Sequence, residues 1–277
     1  VHFLDNVIDA NKYPLPIIEK MTKGNRKIGL GVMGFAEVLI ALNIPYDSTD
    51  ALNFADRLMS FISEEARNAS VELAEERGSF PNFEGSIWPK RGYSKLRNAT
   101  VTTIAPTGTI SIIAGATSGI EPLFAISYVR DVMDGTKLLE TNSLFEAVAM
   151  SRGFYSRDLM MKIAKTGSIQ NISEIPEDAR RVFVTALDID VEWHVRMQAA
   201  FQKHVDNAVS KTVNLRADAS VEEVRKAFLL AYKLKCKGIT VYRYGSKPEQ
   251  VLNISVEDFV KVGAEYAGEC PAAMCYH

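Results

Sequence analysis

A turn rich in hydroxyl side chains follows an apolar segment in this chain of 277 residues. The β-branched run at residues 100–104 is typical of a buried strand, and Pro106 ends it because proline cannot donate to a strand ladder. The glycine of the turn permits close approach of a ligand, and its hydroxyls can bind an anion. The pattern predicts either a phosphate-binding loop or a hydroxyl-capped helix start without a ligand. The turn consists of Pro106, Thr107, Gly108, Thr109, Ile110 and Ser111.

Apolar residues after this turn predict a short helix. Ile110, Ile112, Ile113 and Ala114 are expected to anchor one helical turn on the core. The helix would then direct its first N–H groups and its positive end towards the turn. A phosphate would be stabilised at that place.

A second glycine-rich stretch, Gly29-Leu-Gly-Val-Met-Gly34, matches the spacing of a dinucleotide-binding loop. Such a loop has to follow a hydrophobic strand, but in residues 23–28 only Ile28 is apolar. The sequence therefore argues against a Rossmann dehydrogenase. We expect instead that the small residues let a helix over residues 35–42 pack closely on a neighbouring element.

Other titratable side chains give weaker signals. Glu121 lies between Ile120 and Pro122, and we expect it to accept backbone N–H groups in its loop or to take part in catalysis. His194 and His204 are ten residues apart, which places them roughly 80° out of alignment on one helix. They are expected to be ordinary surface or packing histidines, and the sequence predicts no metal site.

The composition is typical of a soluble globular protein. Hydrophobic residues make up 47% of the chain and charged residues 24%, which is enough for one large domain or two small ones. The net charge of −2 predicts no direct binding to nucleic acid or membranes, and the apolar stretches are shorter than the ~20 residues of a membrane span. Three cysteines are too few for a disulfide scaffold and favour a cytoplasmic location.

Helical and strand patterns alternate along the chain, which predicts an α/β architecture. The clearest signal is a capping box of Ser220 and Glu223, which should start a helix over residues 221–237. Residues 47–50 should cap a long helix that ends at Gly78. The apolar face of that helix would consist of Leu52, Phe54, Leu58, Phe61, Ile62, Val71 and Leu73. We also predict helices over residues 1–11, 144–152 and 157–165 and from Pro176, an irregular segment over residues 79–97, and a strand over residues 239–242.

The segment from residue 105 to residue 122 resembles the catalytic chain of ribonucleotide reductases, in particular the adenosylcobalamin-dependent class II enzymes. The resemblance is carried by Ala105-Pro-Thr-Gly-Thr-Ile-Ser111 and Ser118-Gly-Ile-Glu-Pro122. Further segments are similar to the same family in the same order, so the resemblance spans nearly the full chain. They are residues 25–35, 192–198, 206–215 and 238–246.

This resemblance implies a fold and a substrate. Residues 1–252 would form the carboxyl-terminal part of the family's ten-stranded α/β barrel with covering helices, and residues 253–277 a flexible redox tail. The loop would bind the diphosphate of a ribonucleotide through backbone N–H groups and hydroxyls, and the substrate could be a di- or a triphosphate. The implied substrate-binding residues are Ala105, Pro106, Thr107, Gly108, Thr109, Ile110 and Ser111.

The resemblance also implies a cofactor and a reductant. Adenosylcobalamin would supply the radical, and a thioredoxin-like protein would supply electrons. Cys270 and Cys275 would form the tail dithiol that reduces the active-site disulfide after each turnover, although they could also be incidental. Tyr242 lies near the place where iron-dependent members keep two adjacent tyrosines, and is either an active-site neighbour or a packed strand-end tyrosine. Here Arg243 separates Tyr242 from Tyr244, which favours the cobalamin class.

One departure from the family concerns the radical cysteine. The family places it in an Asn-x-Cys-x-Glu motif, and none of Cys236, Cys270 and Cys275 has that setting. We therefore expect that the chain cannot reduce a ribonucleotide alone and needs a missing amino-terminal half. Its start at Val1 is what a fragment, a split-gene product or a processed chain would show. The alternative is a non-catalytic nucleotide-binding fragment or a partner domain of a reductase.

Overall fold

The structure is a computed structural model that describes residues 1–132, 136–246 and 252–253. Helices predominate in this length, and parallel extended segments lie between some of them, which confirms the predicted α/β class. In the described ranges the helices are α1 (His2–Ala10), α2 (Pro16–Asn25), α3 (Phe35–Ala41), α4 (Thr49–Arg77), α5 (Gly108–Ala114), α6 (Ser143–Ser151), α7 (Arg157–Thr166), α8 (Glu177–Val182), α9 (Val191–Gln202) and α10 (Val221–Lys233), and the strands are β1 (Ser127–Val132), β2 (Thr136–Thr141), β3 (Thr212–Leu215), β4 (Thr240–Arg243) and β5 (Leu252–Asn253).

Four segments lie side by side and run in the same direction. Leu30 pairs with Thr102, and Ile104 pairs with Val209, in isolated parallel bridges. Strand β3 continues the segment of Val209 and pairs in parallel with β4. Residues 100–104 are thus extended and largely buried as predicted, although they pair through single bridges and not through a continuous ladder. Neighbouring parallel segments joined by helices are the arrangement expected of an α/β sheet.

The long helix α4 begins and ends where the sequence predicts. The hydroxyl of Ser48 accepts a hydrogen bond from the amide of Ala51, and Gly78 ends the helix with a φ of 78°. The predicted apolar face is largely packed, since Leu73 is buried and the other predicted residues except Phe61 pack against a core. Phe61 is 63% exposed, and the fully buried positions also include small residues such as Ala51 and Ala55. Helix α9 packs against α4, and small side chains permit that close contact.

Helix α10 has the predicted capping box but a different end. The hydroxyl of Ser220 accepts the amide of Glu223, whose carboxylate accepts the amide of Ser220. The helix stops at Lys233, four residues before the predicted end. The reason is that Lys235 adopts a left-handed conformation with a φ of 60°, which breaks the helical hydrogen-bond series.

The small residues of the glycine-rich stretch permit a close contact, but the contact is made by the glycines themselves and not by the helix that follows them. A Cβ atom at Gly29 would lie 2.5 Å from Cγ2 of Thr103, and one at Gly31 would lie 2.1 Å from the carbonyl oxygen of Thr103. The close packing therefore joins the glycines to the segment at residues 100–104, before α3 begins. Helix α3 itself starts after Gly34, whose φ is 76°.

The remaining predicted helices agree with α1, α3, α6, α7 and α8 to within one or two residues, whereas α2, α9, β3, β5 and the β1–β2 hairpin are not predicted from the sequence. Residues 79–97 are irregular as expected, apart from a 3₁₀ turn at Pro89–Arg91. Within the described ranges, none of the helices combines the length and apolar character required to span a bilayer. The predicted redox tail comprises residues 253–277, and residues 254–277 lie outside the described part of the chain.

One hydrophobic core lies between α3, α4 and α9. The ring of Phe35 on α3 meets the ring of Phe201 on α9 edge to face, with centroids 5.0 Å apart. Ile104 and Ile120 both belong to this core. Because these two residues flank residues 105–119, the core fixes both ends of the candidate loop.

Candidate functional site

The predicted loop lies on the surface at the carboxyl end of the segment at residues 100–104. Ala105, Pro106, Gly108, Thr109 and Ile110 are exposed. Helix α5 begins at Gly108, and the first amides of a helix have no acceptor within it. A Cβ atom at Gly108 would meet no protein atom within 4 Å, so the backbone faces open space there. The loop can thus offer amides and one exposed hydroxyl, that of Thr109, to a ligand.

Two of the predicted hydroxyls fold the loop onto itself. Thr107 has a left-handed φ of 50°, and its Oγ1 accepts the amide of Gly119 at 2.8 Å. Ser111 is buried, and its hydroxyl donates to the carbonyl oxygen of Gly108 at 3.1 Å. The Oγ atoms of Ser111 and Ser118 are 3.0 Å apart. The outward limb of the loop, residues 105–111, and its return limb, residues 117–123, are therefore joined by side-chain hydrogen bonds.

The isoleucines of α5 do not anchor the helix as predicted. Ile110, Ile112 and Ile113 are 54%, 59% and 81% exposed, and the buried residue of α5 is Ser111. The helix is held by the hydrogen bonds of Ser111 and by the left-handed Gly115 at its end, so its apolar residues point outwards.

A carboxylate from α3 clamps the return limb. Glu37 accepts the amide of Thr117 at 2.8 Å and the hydroxyl of the same residue at 2.6 Å. The amide of Gly34 donates to the carbonyl oxygen of Thr117 at 2.8 Å. Gly34 and Glu37 therefore fix both the backbone and the side chain of Thr117.

Glu121 joins the end of the loop to strand β3. Its Oε1 accepts the amide of Thr212 at 2.6 Å, and its Oε2 accepts Nζ of Lys211 at 2.7 Å. The side chain is 23% exposed. Glu121 thus accepts a backbone N–H, as expected, but the donor belongs to β3 and not to its own loop.

Lys211 and His194 complete a buried polar cluster behind the loop. The Lys211 side chain is fully buried, and its Nζ donates to Nδ1 of His194 at 2.8 Å and to the carbonyl oxygen of Thr212. Nε2 of His194 donates to the carbonyl oxygen of Ala186 at 3.0 Å. Burial and the charge of Lys211 lower the pKa of His194 well below its usual range, and the ring is therefore neutral. Burial also lowers the pKa of Lys211, and Glu121 offsets part of this effect.

Tyr46 supports the same corner from the core side. Its hydroxyl donates to the carbonyl oxygen of Ile120 at 2.6 Å. Burial, with a smaller contribution from the charge of Glu121, raises the pKa of Tyr46 well above its usual value. The phenol therefore remains a neutral donor at physiological pH.

The buried cluster contains residues that the sequence interpretation missed. The sequence predicts an ordinary surface or packing histidine at His194 and no role for Lys211. The sequence does contain one signal for Lys211, which stands directly before the apolar strand residues in Ser210-Lys-Thr-Val-Asn-Leu215. Because lysine is almost never fully buried without a partner, a lysine at this place indicates a buried partner. The partner, Glu121, is 90 residues away in the chain.

Three further candidate residues were predicted, Tyr242, Cys270 and Cys275. Tyr242 is half-buried on β4, paired with Asn214 of β3, and its predicted place beside the active site stays a prediction. Cys236 is half-buried, and burial raises the pKa of its thiol. Cys270 and Cys275 lie outside the described residues. Over the described ranges, no three His, Cys, Asp or Glu side chains are grouped as a metal ion would require.

Comparison with known proteins identifies the family of this fold. The family model described as "Ribonucleotide reductase, barrel domain" matches residues 1–242. Among solved structures, the class Id ribonucleotide reductase alpha subunit of Actinobacillus ureae superposes with a TM-score of 0.73 at 23% identity, covering 87% of this chain and 44% of that one. At this identity the superposition shows a shared fold.

Curated relatives are more similar in sequence. The chain is 49% identical to the vitamin B12-dependent ribonucleoside-diphosphate reductase of Thermoplasma acidophilum and 50% identical to that of Mycobacterium tuberculosis. It is 31% identical to the ribonucleoside-diphosphate reductase subunit alpha of Chlamydia pneumoniae. The alignments cover 99%, 99% and 96% of this chain but 38%, 39% and 28% of the relatives. The match of the family model to residues 1–242 shows that the chain belongs to the ribonucleotide reductase family, through its barrel domain.

Proposed function

We propose that this chain supplies the substrate-phosphate loop and part of the barrel wall of an adenosylcobalamin-dependent ribonucleoside-diphosphate reductase. The observation that carries the proposal is the exposed loop at residues 105–110, which lies at the end of a parallel segment in a reductase barrel domain. Ligands of α/β sheets bind beyond the carboxyl ends of the strands. The names of the B12-dependent relatives favour a diphosphate substrate.

The loop has the groups needed to hold a diphosphate. The amides at the start of α5 and the hydroxyl of Thr109 face solvent, where phosphate oxygens can accept hydrogen bonds. Gly108 leaves room for the ligand to approach the backbone. Thr107 and Ser111 act in this proposal mainly by shaping the loop, since their hydroxyls already bond to the protein.

The tail cysteines are proposed as the reductant of the active site. One thiolate of Cys270 or Cys275 would attack the active-site disulfide, and the second would displace the mixed disulfide. Two electrons and two protons would pass to the active-site thiols while the tail becomes a disulfide. A thioredoxin-like dithiol would then reduce the tail, which is consistent with the proposed cytoplasmic location.

The described residues do not fit adenosylcobalamin as cobalt ligands. Nε2 of His194 is bonded to a backbone carbonyl, and Nε2 of His204 is bonded to Asp56. Nε2 of His2 lies 2.6 Å from the guanidinium of Arg77. In this proposal the chain contributes the substrate loop and its support, and the amino-terminal half contributes the radical cysteine.

A reconstitution experiment tests the proposal. The chain is mixed with an amino-terminal reductase half that carries Asn-x-Cys-x-Glu, together with a dithiol, CDP as substrate, and adenosylcobalamin added or withheld. We expect deoxyribonucleotide only when all components are present. A stable complex that produces none would favour the alternative of a non-catalytic nucleotide-binding fragment or partner domain.

Two glycine variants test the loop within that experiment. Gly108→Val places a side chain in the space proposed for the diphosphate, and its Cβ atom meets no protein atom within 4 Å. Gly238→Val is the matched control, since a Cβ atom there also meets nothing within 4 Å. We expect the KM for the substrate to rise by about ten-fold or more only in Gly108→Val. An unchanged KM in Gly108→Val would contradict the assignment of the loop.

A further inference from the structure

A buried lysine behind the loop has no part in the proposed binding contacts. We propose that Lys211 is a positioning residue that holds the return limb of the phosphate loop, residues 117–123, in its binding conformation. This inference rests on the proposed function, because it concerns the same loop. In this role Lys211, Glu121 and His194 act on the loop and do not contact the substrate.

Hydrogen bonds form a closed ring through the end of the return limb. Lys211 bonds to Glu121 at 2.7 Å and to His194 at 2.8 Å. His194 bonds to the carbonyl oxygen of Ala186 at 3.0 Å, and the amide of Ala186 bonds to the carbonyl oxygen of Leu123 at 2.7 Å. Leu123 is two residues beyond Glu121, so the ring returns to the limb where it started. The carboxylate of Glu121 and the carbonyl oxygen of Leu123 are therefore connected through Lys211, His194 and Ala186.

Loss of Lys211 or His194 should disturb the ring because these two side chains are buried, whereas Glu121 is 23% exposed. The Lys211 and His194 side chains are both 0–2% exposed, and Glu121 is the carboxylate bonded to Lys211. A buried cation without its counter-charge is strongly unfavourable, so removal of one partner forces the others to move. The neutral ring of His194 accepts from Lys211 on one side and donates to Ala186 on the other, which leaves no alternative orientation for these bonds.

Movement of the return limb would reach the ligand side of the loop. Gly119 lies two residues before Glu121, and its amide is held by Oγ1 of Thr107. Thr107 immediately precedes the first residue of α5 and has a left-handed φ of 50°. A shift of the limb therefore displaces the residue that sets the direction of the exposed amides. Lys211 also precedes β3, so it couples the loop to the β3–β4 sheet.

Variants of two positions separate positioning from bulk stability. Lys211→Met keeps the length of the side chain and removes the ammonium group. His194→Leu removes both ring hydrogen bonds, whereas His194→Gln can still accept from Lys211 and donate to Ala186. Lys226→Met removes an exposed lysine and serves as the control for the loss of one charge.

The first readout is the affinity of the folded chain for inorganic pyrophosphate, measured by calorimetry well below the unfolding temperature. We expect binding about ten-fold weaker in Lys211→Met and His194→Leu, with His194→Gln and Lys226→Met unchanged. Unchanged affinity in Lys211→Met would overturn the inference while leaving the phosphate loop intact. Equal affinity in the unsubstituted chain and Gly108→Val would instead contradict the proposed function.

The second readout does not depend on a ligand. Amide hydrogen exchange should accelerate about ten-fold or more at Thr117, Gly119 and Glu121 in Lys211→Met, without a similar change at Thr103. The double variant Glu121→Gln with Lys211→Met removes both charges and should recover stability but not the protection of these loop amides. If hydrogen exchange accelerated equally at these loop amides and at Thr103, Lys211 would have only a general structural role. If exchange at the loop amides did not accelerate, the positioning role would likewise be refuted.

Discussion

The carboxylate of Asp5 is completely buried and lies 2.8 Å from Nε of Arg26. The same carboxylate accepts hydrogen bonds from Nε of Arg97 at 3.1 Å and from Nδ2 of Asn98 at 3.0 Å. Helix α1 is thereby joined to the end of α2 and to the segment that leads into residues 100–104. Arg26 also bonds to Asp9, whose side chain is 52% exposed.

Removing the buried charge of this network should destabilise the chain strongly. Asp5→Asn leaves Arg26 without its buried counter-charge, and we expect the free energy of unfolding to fall by about 3–5 kcal/mol. Asp9→Asn changes an exposed partner of the same arginine and should cost no more than about 1 kcal/mol. Urea titration of both variants is the measurement, and equal losses would contradict the assigned difference in burial.

Acid should weaken the same network. Burial raises the pKa of Asp5, but the hydrogen bonds from Arg26 and Arg97 outweigh it and the net pKa is lowered. A carboxyl whose pKa is lower in the folded state stabilises the protein above its unfolded pKa of about 3.9 and loses that contribution as the pH falls through its folded value. The melting temperature should therefore decline below about pH 4. Asp5→Asn should show a shallower decline, and an identical profile would exclude this carboxyl as a cause.

The contrast between Met59 and Phe61 tests which face of α4 is packed. Met59 is fully buried, and Met59→Ala should lower the free energy of unfolding by about 2–5 kcal/mol. Phe61 is 63% exposed, and Phe61→Ala should change it by less than about 1 kcal/mol. Thermal and urea denaturation of the two variants would measure this, and the reverse order would contradict the observed burial of Met59 and exposure of Phe61.

Gly31 should not tolerate a side chain. A Cβ atom there would lie 2.1 Å from the carbonyl oxygen of Thr103, a backbone atom that cannot move without breaking the adjacent bridge. We expect Gly31→Ala to cost at least about 1–3 kcal/mol. Gly238→Ala, where the added atom meets nothing within 4 Å, is the control and should be nearly neutral. Equal stability of the two variants by denaturant titration would refute the close approach.

Exposed apolar side chains predict association of the chain when it is expressed alone. Ile110, Ile112 and Ile113 are exposed together on α5. Further exposed apolar residues on and beside α1 and α2 are Phe3, Leu15, Ile17, Ile18 and Met21. Contiguous apolar surface of this kind promotes association. Sedimentation velocity should show species larger than a monomer, and fewer of them when the three isoleucines are replaced by serine; a uniform monomer before replacement would contradict the prediction.

Local signals in the sequence located several elements well. Ser48, Gly78 and the capping box of Ser220 and Glu223 act through groups within a few residues, so a pattern is enough to find them. The end of α10 was missed because the conformation of Lys235 depends on how the chain continues into β4. Boundaries of this kind are determined by tertiary contacts and not by periodicity.

The candidate site was only partly accessible from sequence. The loop at residues 105–111 is recognisable because its hydroxyls, glycine and proline are contiguous. The pair of Glu121 and Lys211 is separated by 90 residues, and nothing local in either segment identifies the other. The burial of Ser111 and the exposure of its neighbouring isoleucines were also unexpected, because a helix of seven residues gives too short a pattern to define its buried face.

The hydrogen bond from Gly119 to Thr107 has a thermodynamic consequence for ligand capture. It closes the loop through the protein's own groups, so the exposed amides at the start of α5 are aligned before a ligand arrives. A preformed site loses less conformational entropy on binding than a loop that orders around its ligand. Thr107 itself is a β-branched residue in a left-handed conformation, which costs on the order of 1–3 kcal/mol. The free energy of ordering the loop is thus part of folding, and it would not reduce the affinity for the proposed ligand.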